Sequence, residues 1–269
     1  MRRAALAGFF ALFVLFLYGP TAAIVLLSFQ GPDGGLTFPM NQTSTFWFGQ
    51  LFATQRVGDF GGAFRRSLLL GGMVMVATVL IAVPAGLAFR RPFRGATALL
   101  TLTIASLIVP SLLVSLGIGL LFNATGLDPS PWTSGFGAQL TWTLPFGVLI
   151  LFAVFNRFDQ RWEEAARDGG ATPWQVFRYV VLPIILPGVI GIGLLGFTLS
   201  YDEFARTLLT AGGDNTLPLE IFGMTTNITT PVLYALGTAT TGLSFLVILG
   251  ALATIGVLRR FSAPAPQPP

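Results

Sequence analysis

Between Asn156 and Pro187 the chain reads NRFDQRWEEAARDGGATPWQVFRYVVLPIILP, and this one segment holds much of the protein's charge. Its punctuation predicts two short helices joined by a turn. Asp159 suits an N-cap, the run through Glu163, Glu164, Ala165 and Ala166 has high helix propensity, and Gly169-Gly170 supplies a stop. Thr172 then starts a second helix, with Pro173 at its first position and Gln175 three residues on, the pattern of a capping box. Pro183 is expected to end that helix. Ala165, Ala166 and Gly170 leave a face without bulk, and Trp174 and Phe177 offer aromatic area to bury.

What flanks this segment is mostly apolar. Hydrophobic residues make up 53% of the sequence and charged residues 10%, far from the composition of a soluble globular chain. Neither Cys nor His occurs. Disulfides, Cys nucleophiles, His bases and metal sites built from those side chains are therefore excluded. All 15 basic residues are Arg, so there is no Lys for a P-loop to place against nucleotide phosphates. The net charge of +4 comes from Arg scattered at the ends of apolar runs rather than in one stripe, which argues against nucleic acid.

A helix needs about 20 apolar residues to cross the hydrocarbon. Six runs qualify, at about 5–29, 67–89, 97–122, 137–155, 187–209 and 233–258. They are continuously apolar and lack the period-two alternation of barrel strands. An all-α membrane protein with six transmembrane helices follows. The uncharged stretch from Gly34 to Gln55 is too rich in Gly, Thr, Asn, Gln and Pro to span, and reads as part of an ordered outer loop, 30–64. Residues 1–261 form one membrane domain, with the segment 156–186 as its main inner loop. With the N-terminus inside, the inner segments hold Arg2, Arg3, Arg90, Arg91, Arg94, Arg157, Arg161, Arg167, Arg178, Arg259 and Arg260. The outer ones hold Arg56, Arg65, Arg66 and Arg206. That asymmetry places both termini in the cytoplasm. The first run follows Met1-Arg2-Arg3 but is longer than a signal-peptide core, and so reads as a span. The tail 262–269 is Pro-rich and expected to be disordered.

Glu164-Ala165-Ala166, then Gly170-Ala171, Phe177, Leu182-Pro183 and Pro187-Gly188, resembles the EAA loop of ABC importer permeases. Weaker echoes extend the likeness along the chain: Tyr18-Gly19-Pro20, Ser28-Phe29, Phe46-Trp47-Phe48 and Ser67-Leu68. Two departures stand out. Gly169 occupies a place where the family more often has an apolar residue, and Arg66 one where Asn is common. The segments Phe197 to Glu203, Leu217-Pro218-Leu219 and Thr225 to Gly237 are similar to the second permease subunit of spermidine/putrescine-type systems.

The resemblance implies a type I ABC importer (MetI-like) permease fold on the bacterial cytoplasmic membrane. It implies that Glu163, Glu164, Ala165, Ala166, Asp168, Gly170, Ala171, Trp174 and Phe177 dock an ATPase. It further implies two cytoplasmic ABC ATPase subunits, a second homologous or identical permease subunit and an extracytoplasmic solute-binding protein. ATP and Mg would then sit on the ATPase, with no cofactor on this chain.

Ionisable residues at membrane depth are functional candidates. Asp202 and Glu203, beside Tyr201 and Phe204, could meet a cationic solute such as a polyamine. They could instead pair with Arg206, which lies four residues after Asp202 and three after Glu203 along a helix. Gly188, Gly191, Gly193 and Gly196 read as a helix-packing surface. Pro84 and Pro110 are expected to kink their spans, and Asp214 and Glu220 fall in an outer loop. An ion-coupled secondary transporter would need a membrane-embedded acid relay, of which this pair is the only trace. A membrane enzyme would lack its usual catalytic groups.

Overall fold

Helices α3 (Phe60–Phe89), α6 (Phe136–Asn156) and α9 (Leu182–Tyr201) cross closely enough that glycine is needed at the contacts. A Cβ on Gly147 would lie 3.0 Å from Ala82 and 3.2 Å from Ile192, and one on Gly86 would lie 2.8 Å from the Leu151 Cβ. Gly188 meets Val154, Gly193 meets Val79 and Gly196 meets Thr78, whereas Gly191 faces open space. Three of the four glycines expected to serve packing therefore do so. Ala82, Val148, Leu151, Phe155, Ile185, Val189 and Ile192 fill the core between these helices. A 2.7 Å hydrogen bond between the Thr78 and Thr143 hydroxyls joins α3 to α6.

This computed structural model describes residues 2–35, 38–51, 58–227 and 231–261. The Pro-rich tail 262–269 lies outside them. The remaining helices are α1 (Arg2–Leu27), α2 (Phe46–Gln50), α4 (Ala96–Ser106), α5 (Ser111–Ala124), α7 (Arg161–Asp168), α8 (Pro173–Val176), α10 (Leu217–Asn227) and α11 (Val232–Phe261). No strand occurs among the described residues. Among the described residues five helical runs are long and apolar enough to cross a membrane: Leu6–Leu27, Phe60–Phe89, Pro131–Asn156, Pro173–Tyr201 and Val232–Gly250.

The third expected span, 97–122, differs. It is α4 and α5, bent by 102° at residues 107–110. Pro110 adopts an extended conformation (φ −56°, ψ 131°) ahead of α5, and a residue without an N–H cannot carry the helix through. The expected kink is thus a break. The fifth span differs at both ends. It was expected at 187–209, but the helical run covers Pro173–Tyr201, and Pro183 does not end α8. A π-type turn at Phe177–Val181 joins α8 to α9, and its wider hydrogen-bond register lets Pro183 sit near the start of α9 without breaking the run.

The chain divides into two compact units, Met1–Gly62 with Glu220–Val247 and Ala63–Leu219 with Ile248–Pro269. In the first, α1 exposes apolar side chains such as Phe9, Phe10, Leu12 and Phe16, the mark of a helix solvated by lipid. The polar segment after α1 is ordered around Gln30, which is 1% exposed. Gln30 donates to the Gly35 carbonyl (3.0 Å) and accepts from the Asn41 N–H (3.2 Å). The Glu220 carboxylate accepts from the Asp59 N–H at 2.8 Å. In the second unit Arg66 supplies its own partner for the start of α3. Its Nε donates to the Asn215 carbonyl (2.8 Å) and its Nη1 lies 4.0 Å from Asp214, while Ser67 accepts from the Leu217 N–H at 2.8 Å.

Candidate functional site

Short-range hydrogen bonds build the α7–α8 hairpin as its sequence suggests, with one shift. Helix α7 begins at Arg161, and Asp159 caps from one residue earlier than expected by accepting the Arg161 N–H at 3.0 Å. Glu163 and Glu164 occupy the first turn and Arg167 the last, which suits the helix dipole at both ends. The end is a Schellman motif. Gly170 sits at φ +84°, the Ala171 N–H donates to the Ala166 carbonyl (3.1 Å) and the Gly170 N–H to that of Arg167 (2.9 Å). Gly169 has φ −74°, so its backbone makes no demand for glycine. At α8 both capping-box bonds form, from the Gln175 N–H to Thr172 Oγ1 (3.4 Å) and from the Thr172 N–H to Gln175 Oε1 (2.8 Å).

The hairpin has two faces. Glu164, Ala165, Asp168, Gly170 and Trp174 are exposed, Trp174 by 64%. Ala166, Ala171 and Phe177 turn inward against the core of α3, α6 and α9. Glu163 also turns in. Its Oε1 lies 2.5 Å from Arg90 Nη1 and its Oε2 3.2 Å from Arg167 Nη2. The Arg90 Cζ lies 4.9 and 4.8 Å from the centroids of the Phe155 and Phe158 rings, in the corner that these rings make at 71° to each other. A cleft of about 890 Å3 opens beside this contact, lined by Arg91, Glu164, Arg167, Trp174 and Phe177 among others. Sequence reasoning used Arg90 only as a topology marker. The run Phe89-Arg90-Arg91-Pro92-Phe93-Arg94 carries three cations, and nothing local says which turns inward.

Tyr201 is the last residue of α9 and of its span, and Asp202 and Glu203 lie just beyond it. Tyr201 is 4% exposed and stacks on Phe197 at 5.8 Å. Asp202 is the C-terminal flanking residue of α9, with an exposed side chain. Glu203 turns back and accepts the Arg206 N–H at 2.9 Å. Neither carboxylate pairs with the Arg206 guanidinium, because the chain leaves the helix at Tyr201 and the i, i+4 register is lost. Arg206 is instead wholly buried. Its Nη1 donates to Ser111 (2.9 Å), its Nε to Thr141 (3.4 Å), and its Cζ lies 4.6 Å from the Trp142 ring centroid.

Helix α5 holds this turn from one side. Ser115 accepts the Leu209 N–H at 3.0 Å, and a Cβ on Gly119 would come 2.6 Å from the Leu209 carbonyl oxygen. Ser134 donates to the Thr210 carbonyl at 2.7 Å, and the Ser200 hydroxyl bonds Gln139 across α6 and α9. A signal for this joint was present and went unread. Ser111, Ser115 and Gly119 recur every four residues in an otherwise apolar helix, the spacing of a close-contact face. Among the described residues no group of three or more acidic, His or Cys side chains could hold a metal.

Comparison with known proteins agrees with this architecture. Residues 78–262 match the family of binding-protein-dependent transport system inner membrane components. The chain is 30% identical to the spermidine/putrescine transport system permease protein PotC of Haemophilus influenzae over 241 residues, 89% of this chain and 92% of that protein. It is 29% identical to the putrescine transport system permease protein PotI of Escherichia coli over 252 residues, 90% and 85% of the two chains. Among solved structures it resembles a bacterial alginate ABC transporter in complex with an alginate pentasaccharide-bound periplasmic protein. That match has a TM-score of 0.66 and 16% identity, and covers 96% of this chain and 94% of the other. The chain therefore belongs to the binding-protein-dependent transport system inner membrane components, and is a multi-pass permease of the ABC importer class.

Proposed function

We propose that this chain forms half of the solute path of a polyamine-type importer and receives the work of ATP hydrolysis through the α7–α8 hairpin. Family membership favours ATP drive over the ion-coupled alternative. The observation that carries the docking role is the division of the hairpin into two faces. Glu164, Ala165, Asp168, Gly170 and Trp174 are presented outward, while Glu163, Ala166, Ala171 and Phe177 tie the same hairpin to the bundle. A surface that sets the small Ala165 and Gly170 beside an exposed Trp174, next to a cleft and anchored on the bundle, suits the seat of another protein. In this reading the hairpin and both termini are cytoplasmic. Two ATPase subunits carry ATP and Mg, a second permease subunit completes the path, and an extracytoplasmic binding protein delivers the solute. The chain itself performs no catalysis and binds no cofactor.

Polyamine as solute rests on the named functions of the relatives and on one local feature. The Asp202 carboxylate is exposed at the end of α9 and has no ion-pair partner among the described residues. An unpaired carboxylate beside aromatic Tyr201 and Phe204 attracts a flexible cation without trapping it.

The docking role is tested by purifying the complex with its ATPase and replacing Glu164 and Gly170 with bulky residues. The expected result is loss of the ATPase from the complex. Normal assembly and coupling would remove the hairpin from that role. For the solute, Asp202→Asn should weaken uptake of labelled putrescine in membrane vesicles, and unchanged kinetics would take this carboxylate off the path.

A further inference from the structure

Two stretches distant in sequence meet at one guanidinium. Arg90 directly follows α3, Phe155 and Phe158 belong to the end of α6 and the residues after it, and Glu163 stands in the first turn of α7. The Arg90 and Glu163 side chains are only 12% and 13% exposed. Their attraction is therefore far less screened than that of a surface pair. The two rings stand at 71° to each other and corner the guanidinium, which meets the carboxylate as an ion pair. Arg167 holds the second carboxylate oxygen, so Glu163 has little freedom to swing. Beneath this contact α3 and α6 pack closely, since a Cβ on Gly86 would meet the Leu151 Cβ at 2.8 Å and the Phe155 ring at 3.1 Å. The arginine thus stands on a stiff base.

We propose that Arg90 is a positioning residue for coupling: it clamps α7 to the end of α3 and the end of α6, so that displacement of the hairpin carries the second span with it. The inference rests on the docking role proposed above and adds where the load goes. Ala166 and Ala171 also touch the core, but small apolar contacts slide, whereas a half-buried ion pair whose cation also rests on two aromatic rings resists separation. Glu163 then acts on the inner face as the grip of Arg90, while its neighbour Glu164 serves the outer face.

The chain contains no cysteine, so introduced labels are unambiguous. Spin labels at Arg94→Cys, just beyond α3, and at Arg161→Cys, at the start of α7, are read by pulsed dipolar spectroscopy in the assembled complex, nucleotide-free and vanadate-trapped. With Arg90 intact the expected distance distribution is narrow and the same in both states, because the two sites move as one body. In Arg90→Gln the distribution broadens or splits on trapping, while the ATPase stays bound and hydrolyses ATP. Uptake of labelled putrescine per ATP hydrolysed falls about tenfold. Arg90→Lys keeps the charge but loses the broad contact of the guanidinium with the two rings. It should fall between the two, and it carries the same spectroscopic test should the Gln variant not assemble.

A distribution that stays narrow and unchanged without the arginine overturns the proposal, as does a wild-type distance that itself changes between states. Failure of the docking role reads differently. A label on α7 would then show no proximity to the ATPase in wild-type complex, whatever Arg90 does. A wild-type complex that ignores putrescine counts against the polyamine reading alone, since the label distances still decide the clamp.

Discussion

Two arginines mark the two ends of α6, and they are held in opposite ways. Near its C-terminal end Arg90 keeps a carboxylate partner and a residual opening to solvent, with side chains 12% and 13% exposed across the pair. Near its N-terminal end Arg206 is wholly buried and rests on the hydroxyls of Ser111 and Thr141 and the face of Trp142. The first is an ion pair that joins two separate elements across a cleft. A guanidinium sunk among hydroxyls is part of the packing, because it has nowhere else to go at comparable free energy. Substitutions at the first should therefore tell on coupling more than on folding, and at the second on folding first.

The comparison is tested most severely at Arg206. Arg206→Ala removes a large buried side chain, leaves a cavity against Trp142 and strips Ser111 and Thr141 of their donor. A loss of about 3–5 kcal/mol is expected, read as a lowered unfolding midpoint in detergent micelles. Arg206→Met refills most of the volume without the charge, and should recover most of that loss, since a buried charge is costly to hold. If Met proves as damaging as Ala, charge rather than volume holds the joint, and the two arginines are more alike than their surroundings suggest.

Gly119 probes the same joint from α5. In Gly119→Ala the new Cβ meets the Leu209 carbonyl oxygen, a backbone atom that cannot swing aside. The gain in helix propensity of about 1 kcal/mol is outweighed by a clash of about 1–3 kcal/mol, so a small net loss of stability is expected. Gly86→Ala makes the matching test at the other end, where the new methyl presses on Leu151 and on the Phe155 ring beside Arg90. There the informative readout is the label distance between α3 and α7 rather than the unfolding midpoint. A Gly86 variant that unfolds early but keeps that distance would reverse the roles assigned to the two ends.

These two ends were unequally legible in the sequence. The hairpin was readable because its signals are local: Asp159, Gly170, Thr172, Pro173 and Gln175 each act within a turn of where they stand, and each bond formed within one residue of expectation. The all-helical membrane fold was readable because lipid leaves backbone groups few other partners. Hydropathy alone could not place the 102° break between α4 and α5, since residues 107–110 are as apolar as their flanks and only Pro110 marks them. It also carried the fifth span past Tyr201, although Asp202 and Glu203 already argued for an end there. Pairing Arg206 with those carboxylates assumed a helix that had stopped. The Arg90 clamp was out of reach, because it joins residues far apart in sequence through two phenylalanines that look like any others in an apolar chain.

The smallest expected effect bears on whether the hairpin is stiff in its own right. Thr172→Ala removes the acceptor for the Gln175 N–H, a bond of 3.4 Å, and leaves the stronger reciprocal bond from the Thr172 N–H to Gln175 Oε1 at 2.8 Å. Half of the capping box survives, so the cost should stay at or below about 1 kcal/mol. It falls on the start of α8, which leads without interruption through the π-type turn into α9. Local opening at residues 172–176, read as faster amide hydrogen exchange there, is therefore expected with no change in the exchange of α7. Arg90 and the Schellman end at Gly170 hold α7 independently of this cap. Were α7 to open together with α8, the hairpin would be a single cooperative piece, and its stiffness would come from the turn at 169–172 rather than from its anchor on Arg90.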